Sequence, residues 1–300
     1  MYIYRAYQFL IHADFPIPEF PQVNETGDPD VVIRRGAVPT ALENAAGKGV
    51  LYQTTANQFL LNMNDLARYL VQNGAEIVVE PAPNSPASDV RVFLLGSCLG
   101  ALLHQRGILV LHAGALYTER GAVLFTGPSG IGKSTLLGEL LRRGYKMMVD
   151  DVCGVMLDAS GRPTVLPGYP RTRLWSDAAQ KLEQDITTLE RTRPAMEKYE
   201  RQLPEQYWDQ PAPLRRIYLL NTSNKDELFL TAEPRMDTFS IVLRNTYRQQ
   251  FLDGLEMRAP HFSLVSAVAK QTTVTRVTRP SHPFRLTELA DLIEQDLGQG

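Results

Sequence analysis

The chain has 300 residues, of which 44% are hydrophobic and 21% are charged, enough apolar material for one large domain or two modest ones. Its formal net charge of -2 supplies no positive field, so nucleic acid is not an expected partner. The longest apolar stretch, 92–103, is interrupted by Gly96, Ser97 and Gly100 and is shorter than the roughly 20 residues that a membrane span needs. We therefore expect a globular protein with a buried helix here and no membrane partner.

The cysteines and the first residues bear on the compartment. Cys98 and Cys153 each lie in an apolar context, which suits small buried side chains better than a disulfide framework. The first residues lack the charged-then-apolar pattern of a signal peptide. We expect reduced thiols and a cytoplasmic location.

Residues 1–86 alternate short β-rich runs with Pro, Gly and Asn turns. One segment, 64–73, has a helical pattern closed by Gly74. The prolines of segment 81–86 then remove backbone donors and restrict the residues before them. We predict a small α+β N-terminal domain over 1–86 and a second domain over 87–300.

The second domain is predicted to begin with a helix over 89–106. Strands at 108–116 and 122–126, joined by a short turn, predict an antiparallel hairpin. A charged segment, 174–212, predicts a solvated helical insertion or a mobile lid. The other predicted elements are helices at 136–143, 238–252, 262–270 and 286–297 and strands at 146–149, 216–220, 228–231 and 273–277.

The pattern G-x-x-x-x-G-K-[ST] lies between the second hairpin strand and a helix, which is the context that a phosphate-binding loop requires. Its glycines let the backbone wrap a phosphate, and the helix N-terminus adds partial positive charge. We expect Lys133 to contact the β- and γ-phosphates and the Ser134 hydroxyl to bind the metal, so the pattern predicts ATP and Mg²⁺ as cofactors. The residues predicted to bind the nucleotide are Gly127, Pro128, Ser129, Gly130, Ile131, Gly132, Lys133, Ser134 and Thr135.

The loop alone does not identify a reaction, since transporter ATPases and nucleotide kinases carry similar strings. A transporter ATPase is disfavoured because the Leu-Ser-Gly-Gly-Gln signature is missing. Asp150 and Asp151 end the strand after the loop helix, where one carboxylate can hold magnesium and the other can accept a proton from an attacking hydroxyl. His112, on the first hairpin strand, either reaches the γ-phosphate side of the site or is a hydrogen-bonded core residue.

Four segments occur in order over about residues 107–155: His112-Ala113-Gly114, the hairpin, Gly127 to Ser134, and Arg143-Gly144-Tyr145 leading to Val149-Asp150-Asp151. In this combination the chain resembles the HPr kinase/phosphorylase superfamily, whose core shares a fold with phosphoenolpyruvate carboxykinase. The resemblance implies an α/β fold with a phosphate-loop core. It also implies that His112 belongs to the catalytic site, that Asp150 is the base for a serine hydroxyl and that Asp151 binds magnesium. The downstream glutamate-containing segment of that family is missing, which argues against phosphorylase activity.

Over its whole length the chain looks more like the HPr-kinase-like tailoring enzymes of lasso peptide gene clusters, which phosphorylate a C-terminal serine of the precursor peptide. The similar segments are 15–19, 94–97, 102–107, 167–175 and Arg279-Pro280. This resemblance implies a serine kinase with a precursor peptide as substrate. The alternatives are a kinase of an HPr-type carrier protein and a regulatory ATPase without a phosphorylated product. A homo-oligomer is left open.

Two arginines follow the prolines of segment 167–175. A guanidinium can neutralise a transferring phosphoryl group or bind the C-terminal carboxylate of a peptide, although arginines in loops are also common surface charges. The catalytic candidates are therefore His112, Lys133, Asp150, Arg171 and Arg173, and the metal candidates are Ser134 and Asp151.

Overall fold

The computed structural model describes residues 1–175, 190–193 and 196–299. Side chains are described for these residues except within 173–202 and at residue 299. The first 81 residues form one sheet of eight strands. These strands are β1 Tyr2–Ala6, β2 Phe9–Ala13, β3 Val31–Arg35, β4 Gly47–Lys48, β5 Tyr52–Thr54, β6 Gln58–Asn62, β7 Ala67–Gln72 and β8 Glu76–Pro81. They lie in the order β1-β2-β3-β8-β7-β6-β5-β4.

The middle strands of this sheet are buried on both faces. Successive side chains of a strand point to opposite sides, and in β7 both sets include buried residues. In β7, Tyr69 and Val71 belong to the main hydrophobic core, whereas Leu70 belongs to a smaller cluster with Val38 and Leu42. Burial on both faces explains why these strands are nearly continuous apolar runs without a strict polar alternation.

The N-terminal part contains no helix within residues 1–86, so the predicted α+β composition and the helix predicted over 64–73 are wrong. That segment contains β7, and Asn73 and Gly74 adopt φ angles of 56° and 60° in the tight turn into β8. An Asn-Gly pair favours such a turn because both residues tolerate the left-handed conformation. This turn and the two-sided burial of β7 outweigh a weak helical pattern.

A helix over Ala87–Gln105 follows the first sheet and confirms the helix predicted over 89–106. By length and composition it could cross a membrane, but 67% of its apolar window is buried inside the protein. At Gly100 a Cβ atom would lie 2.9 Å from the ring of Tyr247, so only glycine lets that ring approach. The apolar stretch is therefore a core helix. Its parts are α1 Ala87–Phe93, a π-helical turn Leu94–Cys98 and α2 Leu99–Gln105.

The second sheet carries the elements around the phosphate loop. Its strands are β9 Leu109–Thr118, β10 Gly121–Thr126, β11 Lys146–Val149, β12 Val152–Leu157, β13 Pro163–Val165, β17 Ala212–Ser223, β18 Phe229–Ala232 and β19 Thr273–Pro280. Strands β9 and β10 pair as the predicted antiparallel hairpin, and β11 has the predicted bounds. Helix α3, Lys133–Arg142, follows the loop and confirms the short helix predicted there.

The second sheet curls until part of it closes. Its order is β10-β9-β12-β13-β17-β19-β18, and β10 also pairs with β17 in parallel. Because β17 pairs with β13 near its start and with β10 further along, the strands β9, β12, β13, β17 and β10 form a closed ring. The carboxyl ends of β10, β17 and β19 point the same way, since these three strands are parallel.

Two helices lie between β18 and β19, and a third follows β19. The helix predicted over 238–252 ends early, because Thr246 leaves the helix to form a β-bridge with Leu111. The other two predicted helices are present. The helices are α4 Arg235–Arg244, α5 Arg258–Gln271 and α6 Leu286–Gln299, with a 3₁₀ turn at Gln249–Phe251.

The charged segment predicted as a helical insertion is a small antiparallel sheet in its described part, with the order β14-β16-β15. The described part has strands where a helix was predicted, because high charge predicts solvent exposure but does not distinguish a helix from a strand. Residues 176–189 and 194–195 of the predicted insertion or lid lie outside the described residues. The strands are β14 Arg171–Trp175, β15 Glu190–Arg193 and β16 Met196–Gln202.

One hydrophobic cluster crosses the predicted domain boundary at residue 86. It includes Tyr69 of β7, Leu102 of α2 and Val110 of β9. Helix α2 packs against both β7 and β9 and so joins the two large sheets. The connection from Pro81 to Ala87 coincides with the predicted boundary, and the division into two domains stays a prediction.

Leu102→Ala tests this shared core. Leu102 is fully buried, so truncation should lower the free energy of unfolding by about 2–5 kcal/mol through lost transfer energy and a cavity. Val50→Ala, at a fully exposed position, should change it by less than about 0.5 kcal/mol. Urea unfolding of both variants measures the difference, and equal effects would show that α2 is not part of a well-packed core.

Candidate functional site

The loop between β10 and α3 depends on glycine backbone geometry. Gly127, Gly130 and Gly132 have φ angles of 139°, 79° and 102°, a region that side chains strain. At Gly127 a Cβ atom would also lie 2.8 Å from the carbonyl oxygen of Leu220. Gly132 is the N-cap of α3 and no side chain caps the helix. The first-turn N–H groups of a helix have no intrahelical acceptor and can donate to a ligand.

Lys133 reaches back across this loop. Its Nζ donates to the carbonyl oxygens of Gly127 at 2.9 Å and Pro128 at 3.0 Å, and the side chain is buried. The loop thus holds a buried ammonium group beside the N-terminus of α3, an arrangement that favours a bound anion. The other predicted nucleotide-binding residues lie at the exposed loop tip (Pro128, Ser129, Gly130), just after it (Ile131) and in the first turn of α3 (Ser134, Thr135).

The acidic pair lies where one strand is interrupted. Strands β11 and β12 both pair with β9 and are separated only by Asp150 and Asp151. Asp151 has a φ angle of 82°, an uncommon conformation for a residue with a side chain. The interruption places Asp150 next to the start of α3 and Asp151 next to His112.

Asp150 contacts the first turn of α3. Its Oδ1 accepts a hydrogen bond from Ser134 Oγ at 3.3 Å, and its Oδ2 accepts one from Thr172 Oγ1 at 2.7 Å. Two cis ligands of an octahedral magnesium ion lie about 3.0 Å apart, given bonds of roughly 2.1 Å. The oxygens of Ser134 and Asp150 therefore have a spacing that fits magnesium.

Asp151 contacts His112. Nδ1 of His112 lies 2.9 Å from Oδ1 of Asp151, although no described residue forms a hydrogen bond of good geometry with that nitrogen. Both side chains are 30% exposed, so His112 is not an enclosed core residue. Its backbone is held by Asn245, whose carbonyl accepts from His112 N at 2.8 Å. The structure thus brings His112, Asp151, Asp150 and Ser134 together.

Within the described residues no group of three or more His, Cys, Asp and Glu side chains is arranged to hold a metal ion. Magnesium does not need such a group, because it keeps several waters and takes phosphate oxygens as ligands. Ser134 and Asp150 are the protein oxygens that fit it here.

Arg171 lies in a buried ionic cluster and not at the phosphate loop. Its Nη1 is 2.6 Å from Oε1 of Glu19, and Nε of Arg91 is 2.7 Å from the same oxygen. Arg171 is 8% exposed and Glu19 is 4% exposed. The cluster ties the N-terminal segment to α1 and to the start of β14. Arg173 has no described side chain, and the catalytic role of both arginines stays a prediction.

Two residues that the sequence analysis does not assign to the site belong to it. Thr172 is buried and donates to Asp150, and its position beside Arg171 is the one signal that could have indicated it. Arg279 donates through Nη2 to the carbonyl oxygen of Ile131 at 2.8 Å. Only the resemblance of its segment pointed to Arg279.

The described residues form a mixed α/β protein whose candidate site is a glycine-rich strand-loop-helix unit beside an acidic pair. No family model matches the chain. No curated protein matches it either.

Among solved structures, the chain is similar to the HPr(Ser) kinase/phosphatase from Coxiella burnetii. The two are 14% identical with a TM-score of 0.35, and the alignment covers 63% of this chain and 91% of the other. A likeness of this size supports no conclusion about function.

Glu19→Gln tests whether the buried cluster organises the site. This substitution removes the counter-charge of the buried Arg171 and the partly buried Arg91. The free energy of unfolding should therefore fall by about 3–5 kcal/mol. Glu25→Gln is the matched control, because Glu25 pairs with Arg5 at the surface and should cost at most about 1 kcal/mol. Urea denaturation compares the two, and a loss at Glu19 no larger than at Glu25 would contradict the role of the cluster.

Proposed function

We propose that the protein is an ATP- and Mg²⁺-dependent kinase that phosphorylates a serine hydroxyl of a peptide. The sequence resemblance suggests the C-terminal serine of a lasso peptide precursor as the acceptor. The observation that carries the proposal is the second carboxylate: Asp151 lies beside His112 while Asp150 lies beside Ser134. A protein that only hydrolyses its bound nucleotide needs the loop and one metal ligand. A second carboxylate beside an imidazole is additional to these, and it supports the activation of an acceptor hydroxyl.

The nucleotide is placed by the loop. Lys133 donates to two loop carbonyls, and a bound polyphosphate would offer charged acceptors in place of these neutral ones. The uncapped first turn of α3 would donate its N–H groups to the same phosphates. Ser134 and Asp150 would hold magnesium, whose positive charge would offset the charge that develops on the transferred phosphoryl group.

The two aspartates are assigned opposite roles to those that the resemblance implies. Asp150 lies within hydrogen-bonding distance of Ser134, the predicted metal ligand, and accepts donors on both of its oxygens, so we assign it to magnesium. Asp151 contacts His112 instead, so we assign it as the base. It accepts the serine proton as the serine oxygen bonds to the γ-phosphorus and the bond from that phosphorus to the bridging oxygen of ADP breaks.

His112 and Thr172 position these carboxylates. The imidazole beside Asp151 restrains the side chain that faces the acceptor, and its own backbone is fixed by Asn245. Thr172 holds Asp150 from the side opposite Ser134. Because Thr172 follows Arg171, the buried cluster with Glu19 fixes the strand that presents it.

Intact-mass spectrometry tests the reaction. A lasso precursor peptide ending in serine, incubated with the protein, ATP and Mg²⁺, should gain one phosphate on that serine. Lys133→Ala should lower the rate by about 10²–10³-fold, since a donor to the transferring group is lost. ATP consumption without any phosphorylated peptide would instead support the regulatory ATPase, and transfer only to an HPr-type carrier would support that kinase.

The division of labour between the aspartates has its own test. Asp151→Asn should abolish transfer to the peptide while Mg²⁺-dependent ATP binding persists, because only the proton acceptor is lost. Asp150→Asn should raise the Mg²⁺ concentration needed for half-maximal ATP binding, because a metal ligand is weakened. Magnesium titrations and single-turnover rates of both variants distinguish the two assignments. If Asp150→Asn abolished transfer and Asp151→Asn raised the Mg²⁺ requirement, Asp150 would be the base, as the resemblance implies.

A further inference from the structure

Strand β19 ends against the phosphate loop. It runs parallel to β17, which runs parallel to β10, so all three carboxyl ends reach the same edge of the sheet. Arg279 is the next-to-last residue of β19 and is 7% exposed. A Cβ atom at Gly132 would lie 3.5 Å from Nη2 of Arg279. The guanidinium is therefore packed against the loop backbone at the start of α3.

The hydrogen-bond acceptors of this guanidinium are neutral. Nη2 donates to Ile131 O at 2.8 Å and Nη1 donates to Pro280 O at 2.8 Å, while Nε has no partner among the described residues. The guanidinium also lies 4.1 Å from the ring centroid of Phe284. None of the described carboxylates forms an ion pair with Arg279.

Arginines around Arg279 are compensated in another way. Four described arginines on adjoining elements pair with a carboxylate: Arg143 with Glu294, Arg216 with Asp296, Arg276 with Glu233 and Arg285 with Asp226. Burial lowers the pKa of Arg279, and no carboxylate offsets this effect. A buried cation without a counter-charge is costly, and two carbonyl contacts alone do not require a charged residue.

We propose that Arg279 is a positioning residue of the polyphosphate site, with the triphosphate of ATP as its missing counter-charge. This inference rests on the proposed function. The hydrogen bond to Ile131 fixes the loop carbonyl, and the charge adds to that of Lys133 in the field that the phosphates enter. Because the effect is electrostatic, its contribution grows with the number of phosphates on the nucleotide.

Isothermal titration of AMP, ADP and ATP against the full chain with Mg²⁺ tests the inference. Arg279→Met should weaken ATP binding by about tenfold or more and AMP binding much less. Arg279→Lys keeps the charge and should retain most of the preference for ATP over AMP. Arg276→Met is the matched control, because it removes the same charge from the same strand at a residue paired with Glu233, and it should leave the preference unchanged.

The outcomes separate the two proposals. Equal weakening of AMP and ATP by Arg279→Met, or an equal effect of Arg276→Met, would overturn the role of Arg279 while leaving the kinase proposal intact. If the thermal unfolding transition shows that Arg279→Met is not folded, Arg279→Lys provides the test. A retained preference for ATP over AMP in Arg279→Lys supports the role of Arg279, and a lost preference overturns it. A wild-type chain that binds neither ADP nor ATP would overturn both proposals.

Discussion

The pairing of β9 with strands on both of its edges is the constraint on which the candidate site depends. On one edge β10 leads into the glycine-rich loop, and on the other β11 and β12 are separated by Asp150 and Asp151. His112 lies on β9 itself, opposite Val152. Because hydrogen bonds set the register of all these strands, the loop, the acidic pair and the imidazole are held at fixed separations by backbone alone.

A second constraint acts at longer range through buried charge. Glu19 contacts arginines from α1 and β14, which are separated from it by 72 and 152 residues. The charge of this buried carboxylate is offset by both guanidinium groups only when all three segments are in place. The cluster thus couples the docking of the first sheet to the position of Thr172, and through Thr172 to Asp150.

The parts of the site that sequence reasoning located are those that neighbouring residues determine. The hairpin, the loop, α3 and β11 lie in one continuous stretch of chain, and their turn and glycine signals are local. Thr172 and Arg279 were missed because their contacts, to Asp150 and Ile131, join distant parts of the chain. The charge of Arg171 suggested a ligand, but its ion pair with Glu19 depends on the fold. In the first sheet, the helical pattern over 64–73 predicts a helix where β7 lies, although Asn73 and Gly74 give a turn signal.

The backbone of Asp151 has an implication for stability. A φ angle of 82° is uncommon for residues other than glycine, although aspartate and asparagine adopt it more readily than most, so the residue assigned to proton transfer occupies a conformation that suits glycine best. Replacing it with glycine would relax the backbone at this point while removing the carboxylate. Backbone conformation and the proposed proton transfer therefore favour different residues at position 151.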